Sequence, residues 1–134
     1  MKELHVEVIT PSHEAYNGDA ESITIPGTMG SFQVLHNHAP LMSSFEIGKI
    51  KIKSTANTET VYATSGGTVE VKDNKVLVLA ETFESLEDID IERAKRAKER
   101  AEERLSITKR KEFDVERAEL ALKRAINRLK IAGN

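Results

Sequence analysis

The chain is short, highly charged and free of cysteine. It has 134 residues, of which 39% are hydrophobic and 31% are charged, and its net charge is −2. This length holds one hydrophobic core, or one core with an appendage, and the lack of cysteine excludes disulfides and thiol chemistry. No apolar stretch is long enough to span a bilayer. Residues 1–10 lack the apolar block of a signal peptide, so export is not expected.

The small net charge conceals an asymmetry along the chain. Residues 90–134 carry 14 Lys and Arg against 9 Asp and Glu, a net of +5, whereas residues 1–89 carry 6 against 13, a net of −7. An acidic body with a basic tail predicts that the tail meets something anionic. An acidic protein surface, a nucleotide and a nucleic acid are the candidates.

The first part of the chain is predicted to form short strands separated by turns. Apolar and polar residues alternate there, and all three prolines and six of the seven glycines lie before residue 68. We expect strands around 4–9, 23–25, 32–35, 47–52, 61–63, 69–71 and 76–79, with turns at Asn17-Gly18, 27–30, Gly66-Gly67 and Asp73-Asn74. Short strands at this spacing predict an antiparallel sandwich or barrel, with the apolar run 76–79 as a core strand.

The last part of the chain has a helical period. Asp90 is predicted to cap a helix that ends at Leu105, and Asp114 a second helix, because a carboxylate accepts from the free amides of a first turn. The expected buried positions are Ile91, Ala94, Ala97, Ala101 and Leu105 on the first helix, and Val115, Ala118, Leu122, Ala125, Leu129 and Ala132 on the second. The two helices, linked by residues 106–113, should form an antiparallel hairpin.

These patterns together predict an α+β fold of two parts. An antiparallel β-sandwich or barrel is expected over residues 1–85, and the helical hairpin over residues 86–134. The boundary near residues 84–88 follows the last strong strand and precedes the cap of the first helix. Because alanines bury little area, the hairpin should hold weakly, which permits alternative conformations.

No catalytic or metal-binding constellation is recognisable in the sequence. It contains no phosphate-binding loop and no nucleophile-elbow motif. His36 and His38 lie two residues apart without a third ligand at a sensible spacing, so we interpret one as packed and the other as exposed in a loop. The basic helices contain a single aromatic residue, Phe113, and acidic residues throughout, which argues against a nucleic-acid partner.

Two pairs of arginines are spaced so that each lies along one face of a predicted helix. Within the first helix the pair is seven residues apart, and within the second it is four apart. In a folded hairpin the pairs could converge, and guanidinium groups bind phosphate oxygens in bidentate fashion. The candidate nucleotide site comprises Arg93, Arg100, Arg124 and Arg128, with Glu84 and Asp90 as acceptors at its edge. The alternative is an ordinary solvated helical charge face.

Five segments, in order along the chain, resemble the epsilon subunit of F-type rotary ATP synthases. The opening strand and turn, 5–11, reads HVEVITP, and residues 38–41 read HAPL. Residues 65–71 read SGGTVEV, as in the family's SGG hairpin. Residues 89–94, IDIERA, and 117–125, RAELALKRA, resemble the signatures of its two helices. The resemblance covers essentially the whole chain.

The resemblance implies a ten-stranded β-sandwich and a regulatory hairpin in a non-catalytic subunit of the central rotor stalk. The sandwich would bind the gamma subunit and the c-ring of a proton-translocating synthase. The helices would extend along gamma towards the alpha and beta catalytic subunits and inhibit ATP hydrolysis. The protein would then lie peripherally, on the cytoplasmic side of a bacterial plasma membrane or on an organelle's equivalent membrane.

The resemblance also implies a ring-facing loop, residues 30–41, that includes Ser31 and His38. The sequence departs from the family there, since Ser31, Gln33, His36 and Asn37 stand where the family often has Glu, Gly, Pro and Gly. These departures leave open which residues contact the ring. The loop as a whole is still expected to face the ring.

Finally, the resemblance implies a nucleotide site. Some bacterial members bind ATP through residues that match all six candidates above, so ATP is expected as a regulatory ligand, with no required cofactor. Two other interpretations stay open: a free-standing nucleotide-sensing module and a structural adaptor with a coiled-coil tail. An exposed apolar patch on the sandwich would favour the stalk subunit over the free sensor.

Overall fold

The computed structural model describes residues 3–106 and 112–133, and for residues 112–114 it describes the backbone alone. The chain forms two compact units, Met1–Ser85 and Leu86–Asn134. The first unit holds the strands, and the second holds a short 3₁₀ turn, Leu86–Asp88, and two α-helices. The predicted fold, a β-sandwich followed by a two-helix hairpin, is confirmed.

The first unit contains nine strands within the described residues. They are β1 (Leu4–Ile9), β2 (Glu14–Gly27), β3 (Gly30–Val34), β4 (Leu41–Phe45), β5 (Gly48–Ser54), β6 (Glu59–Thr64), β7 (Gly67–Lys72), β8 (Lys75–Ala80) and β9 (Phe83–Ser85). The helices of the second unit are α1 (Ile91–Ser106) and α2 (Glu112–Ile131).

The long strand β2 belongs to both layers of the sandwich. Its first half pairs with β1, and its second half pairs with β3 and β5. The register shifts between Ala20 and Ser22, and such a bulge bends a strand. One layer has the order β4–β7–β8–β1–β2, and the other has the order β3–β2–β5–β6–β9. Because β2 counts once in each layer, the nine described strands supply the ten positions that the resemblance implies.

One pair of strands departs from the antiparallel arrangement. β1 lies parallel to β8, with His5 opposite Lys75 and Ile9 opposite Leu79. All other strand pairs recorded among the described residues are antiparallel. Parallel neighbours need a long connection, which the intervening strands β2 to β7 provide.

Side chains that point inward from the two layers form the core. Alternate residues of the strands are buried, as the period-two pattern predicts. The largest fully buried apolar side chains are Leu4, Val6, Val8, Ile23, Ile25, Val34, Ile50, Val69, Val71, Val76 and Val78. Each such side chain contributes about 1.5–3 kcal/mol relative to an exposed one, so this core stabilises the first unit.

Asn17 and Gly18 do not form the turn that their sequence predicts. Both lie inside β2, opposite Glu7 and Val6 of β1. The turn between β1 and β2 occurs earlier, where the amide of Thr10 donates to the carbonyl of His13 over 2.9 Å. Pairing of two strands over six residues outweighs the local preference of an Asn-Gly pair for a turn.

The connection from β6 to β7 requires its two glycines, as the sequence predicts for a strand-connecting turn. Gly66 has φ +111°, a conformation that favours glycine. At Gly67 an added Cβ would overlap the backbone carbonyl of Leu79 on the neighbouring strand. The positive φ at Gly66 and the close backbone approach at Gly67 therefore favour glycine at both positions.

The first helix begins as predicted. The amide of Arg93 donates to Oδ1 of Asp90 over 3.0 Å, and the amide of Ala94 donates to the carbonyl of Asp90 over 2.9 Å. Asp90 is therefore the N-cap of α1. The helix ends at Ser106, one residue beyond the predicted end.

The predicted start of the second helix is wrong by three residues, since a cap at Asp114 sets the first helical residue at Val115. α2 begins at Glu112, so Asp114 lies inside the first helical turn and is not the cap. An acidic residue is as favourable in a first turn as at the cap, because of the helix dipole, which explains the misassignment. Of the predicted link 106–113, residues 107–111 lie outside the described residues.

The two helices pack through small residues. Ala94 and Ala101 of α1 are buried, as are Ala118, Ala125 and Leu129 of α2, and the other predicted seam positions are partly buried. Small side chains let helices approach closely but remove little apolar area from water. Within the part of the chain that the structure describes, no helix has the length and apolar character needed to cross a membrane.

Candidate functional site

The arginines of the hairpin occupy a constant position relative to the seam. Arg93, Arg100 and Arg124 each directly precede a buried alanine, which sets them about 100° from that alanine around the helix axis. Arg128 follows one turn after Arg124. Arg93 and Arg100 are exposed, whereas Arg124 and Arg128 are half-buried.

The antiparallel packing of the helices puts these arginines on the same side of the hairpin. Two antiparallel helices are related by a two-fold axis perpendicular to the plane that contains both helix axes. Residues at equivalent positions on the two helices therefore lie on the same side of that plane. Along α1 the two arginines lie about 10.5 Å apart, and along α2 about 6 Å apart. We refer to Arg93, Arg100, Arg124 and Arg128 as the arginine face.

A groove on the hairpin lies on the other side from the arginine face. It has a volume of about 370 Å³ and is lined by Lys95, Lys98, Glu99, Glu102 and Leu129. Its charged groups are of both signs, so it does not share the concentrated positive charge of the arginine face.

The two acidic residues of the predicted nucleotide site belong to different units. Asp90 caps α1 and so lies directly beside Arg93. Glu84 lies in β9 of the first unit, opposite Ala63. The helical unit thus contains five of the six predicted residues.

The layer that contains β4, β7, β8 and β1 carries apolar side chains on its outer surface. Met42 is 74% exposed and Leu79 is 48% exposed, while Leu77 and Ile9 are partly buried. Cross-strand pairing sets Met42 beside Glu70 and then Leu77, and sets Leu79 beside Ile9. We call Ile9, Met42, Leu77 and Leu79 the apolar face.

The apolar face corrects the interpretation of residues 76–79 as a core strand. Val76 and Val78 are buried, but Leu77 and Leu79 point outward. In an antiparallel sheet, a strand with an uninterrupted apolar run is buried on both faces only when another layer packs against each face. Leu77 and Leu79, the outward-facing leucines of β8, indicated an exposed apolar surface. Sequence reasoning did not assign that surface to β8.

Residues 30–41, which the resemblance implies form a ring-facing loop and whose pattern predicts a strand at 32–35, are an edge strand followed by a turn. β3 pairs with β2 alone among the described strands. Ser31 is an exposed residue of β3, and His38 lies after the strand, beyond a turn in which its amide donates to the carbonyl of Leu35 over 3.1 Å. Met29, 99% exposed, and Leu35, 51% exposed, flank the strand. The two predicted residues therefore lie along one edge.

The two histidines of this region are both partly buried, so the expectation of one packed and one exposed ring is wrong. Each uses Nδ1 to donate to a backbone carbonyl: His36 to Glu3 over 3.1 Å, and His38 to Ala39 over 2.7 Å. The described residues contain no group of three or more side chains able to hold a metal ion.

One hydroxyl–imidazole contact occurs in the turn between β1 and β2. Ser12 Oγ lies 2.8 Å from His13 Nδ1, and Thr10 Oγ1 lies near both. All three groups belong to one turn, in which Thr10 is buried, and they satisfy one another, so the contact serves the turn. Elsewhere in the first unit, burial, with a smaller effect of Asp19, raises the pKa of Tyr16, which packs edge-on against Tyr62.

Family models match both units of the chain. Residues 3–86 match the ATP synthase, Delta/Epsilon chain, beta-sandwich domain. Residues 87–133 match the ATP synthase, Delta/Epsilon chain, long alpha-helix domain.

Among curated proteins, an ATP synthase epsilon chain of Nitratidesulfovibrio vulgaris is 46% identical over 110 residues, which cover 82% of this chain and 81% of that protein. An ATP synthase epsilon chain of Desulfitobacterium hafniense is 49% identical over 101 residues, covering 75% and 76%.

Solved structures share the fold at lower identity. A chain in the Euglena gracilis mitochondrial ATP synthase, OSCP/F1/c-ring, matches with a TM-score of 0.83 and 22% identity, over 98% of this chain and 82% of that one. A chain in the Tetrahymena thermophila mitochondrial ATP synthase central stalk and c-ring matches with a TM-score of 0.64 and 17% identity, over 96% of each. With both units matched and these identities to epsilon chains, the chain belongs to the ATP synthase epsilon subunit family.

Proposed function

We propose that this chain is a non-catalytic subunit of the central rotor stalk of a proton-translocating F-type ATP synthase. Its partners in this role are the gamma subunit, the c-ring and the alpha and beta catalytic subunits. It sits peripherally, through the complex, on the cytoplasmic side of a bacterial plasma membrane or at the equivalent organelle membrane. The sandwich couples the rotor to the ring, and the hairpin regulates ATP hydrolysis.

The apolar face is the observation that carries this proposal. A stable sandwich has no reason to expose Met42 and Leu79 together, since each side chain gains free energy when it is removed from water. Exposed apolar side chains that share one sheet surface with charged residues are typical of a protein–protein interface, and here Glu70 lies between Met42 and Leu77 while Glu7 lies beside Leu77. A free-standing nucleotide sensor needs no such surface.

We assign the two exposed regions of the sandwich to two partners. The apolar face, being a broad sheet surface, docks on the gamma subunit. The edge formed by β3 and the turn 35–38, with Ser31 and His38 along it, meets the c-ring. The apolar side chains of Met29 and Leu35 at the two ends of β3 support a contact along this edge.

The experiment measures binding of the purified chain to the gamma subunit by calorimetry. Met42→Lys combined with Leu79→Lys should weaken binding at least about tenfold, because an interface core tolerates an unpaired charge poorly. Thr60→Lys, at an exposed position of β6 in the other layer, is the matched control and should bind as the wild type. Equal affinity for the double variant and the control would refute the assigned surface.

The hairpin in this proposal has a compact and an extended state that ATP biases. Its alanine-rich seam makes the compact state weak, and a ligand shifts such an equilibrium only through different affinities for the two states. The arginine face draws on both helices, so ATP binds it only when they lie side by side. ATP thus favours the compact, less inhibitory state. At low ATP the helices extend along gamma, and their positive charge opposes rotation against the alpha and beta subunits.

A further inference from the structure

Three segments far apart in the sequence meet next to the turn that carries His38. They are the start of β1 with the residue before it, the turn 35–38 after β3, and the turn between β7 and β8. The amide of His5 donates to the carbonyl of Asn74 over 2.9 Å. His36 Nδ1 donates to the carbonyl of Glu3 over 3.1 Å. The side chain of Asn74 completes the connection.

Asn37 and Asn74 form a reciprocal pair. The amide N–H of Asn37 donates to Oδ1 of Asn74 over 2.6 Å, and Nδ2 of Asn74 donates to Oδ1 of Asn37 over 3.3 Å. The backbone N–H can only donate, so Oδ1 of Asn74 must face it, and this fixes the orientation of the Asn74 amide. Both residues adopt the left-handed conformation, with φ of 63° and 61°, which asparagine tolerates better than most residues.

The turn 35–38 lacks support from the strand ladders. β3 ends at Val34 and β4 begins at Leu41, and the bond from the His38 amide to the Leu35 carbonyl lies within the turn itself. The recorded bonds that reach the turn from outside come from Asn74 and Glu3. Because β1 holds the backbone of Asn74, the Asn74 side chain ties the turn to the body of the sandwich.

We propose that Asn74 is a positioning residue that holds the turn 35–38 in the conformation that meets the c-ring. This inference rests on the proposed function of that edge. Asn37 is left-handed, and it gains its stabilising bonds from Asn74. A turn that is already ordered loses less conformational entropy on binding than a mobile one. Loss of the Asn74 side chain should thus weaken ring binding even though Asn74 need not touch the ring.

The test compares Asn74→Gly with Asn57→Gly. Glycine adopts positive φ readily, so Asn74→Gly keeps the backbone and removes only the side-chain bonds. Asn57 is a matched control: it is left-handed with φ 64°, and its amide bonds to Ser54 within its own turn. The structure records no side-chain bond for Asn57 to any described residue. Asn74→Asp retains the oxygen that accepts from Asn37 and serves as the conservative rescue.

Hydrogen exchange of the isolated full chain gives the first measurement. The Asn37 amide should exchange at least about tenfold faster in Asn74→Gly, since its one recorded acceptor is lost. Asn57→Gly should leave this amide unchanged, and Asn74→Asp should restore its protection. A merely structural loss of stability would speed exchange in the β-strands as well, so core amides such as that of Val78 provide the internal reference. An unchanged Asn37 amide would overturn the inference.

Binding to purified c-ring in detergent, with and without gamma, gives the second measurement. Asn74→Gly should bind the ring at least about tenfold more weakly than Asn57→Gly, while both bind gamma equally well. Equal ring affinity of the two variants would overturn the positioning role alone. A wild-type chain that binds gamma but not the ring would instead refute the proposed role of the edge, and with it this inference.

Discussion

In the proposed nucleotide site, the arginine face would join ligand binding to helix packing at the level of single residues. Arg93, Arg100 and Arg124 each sit one position before a buried alanine, so a change in the packing of the seam displaces the guanidinium groups directly. Asp90 adds a second connection, because it caps α1 and lies beside Arg93. A nucleotide that engages both helices therefore contributes to seam stability by its own binding free energy.

Replacement of one arginine tests the proposed site. Arg124→Ala should weaken ATP binding by the isolated chain at least about tenfold, because a charge-assisted hydrogen bond contributes about 1.5–3 kcal/mol. Lys123→Ala removes a neighbouring exposed cation that lies outside the arginine face and should change affinity little. Calorimetry on the three proteins makes the comparison. Equal losses for both variants would indicate only a general effect of charge.

At the scale of single residues, the sequence predicts which residues align along one helix and does not predict contacts between distant turns. Spacings of seven and four residues were sufficient to align the arginines, because helix periodicity alone governs them. The cap at Asp90 is equally local. The pair of Asn37 and Asn74 could not be predicted, because it depends on how a turn after β3 meets a turn 37 residues away.

The strands show how local patterns compete with pairing. The alternation of β1, β5 and β7 gave their buried faces correctly. The turn predicted at Asn17-Gly18 was wrong because β2 continues through it while paired with β1. The prediction of residues 76–79 as a core strand was half wrong, because the sequence does not distinguish an apolar residue on an outer surface from one in a core. Both errors concern information that only the partner strand or partner protein supplies.

The junction of β6 and β7 offers a test of packing within the sandwich. Gly67→Ala should lower the free energy of unfolding by about 1–3 kcal/mol, since the new Cβ meets the Leu79 carbonyl and the strands must separate. Gly18→Ala is the control, because its Cβ would make only ordinary contacts of 3.7 Å with Tyr16. Urea unfolding of both variants measures the difference. Similar stability for the two would show that the backbone there relaxes without cost.

For the molecule as a whole, the two units differ in how they are stabilised. The sandwich has a continuous core of Val, Leu and Ile side chains, whereas the hairpin has a seam of alanines and few larger residues. The larger apolar burial belongs to the sandwich. This difference suits a rigid docking body with a hairpin that can change conformation.

Truncation tests this division. A chain that ends at Ser85 should fold on its own, unfold cooperatively in urea and bind gamma with nearly wild-type affinity, because the core and the apolar face both lie within residues 4–83. It should not bind ATP, since the arginine face is absent. An unfolded or aggregated product would contradict the independence of the sandwich.

The central claim, that this chain couples the rotor stalk to the c-ring, is tested most directly by ATP-driven proton pumping. The measurement uses inverted membrane vesicles whose ATP synthase lacks this subunit. Addition of the wild-type chain should restore the number of protons pumped per ATP hydrolysed. The chain with Met42→Lys and Leu79→Lys should not restore it. If the wild-type chain leaves pumping unchanged, or if the double variant restores it equally well, the account of this chain as a stalk subunit that acts through its apolar face is contradicted.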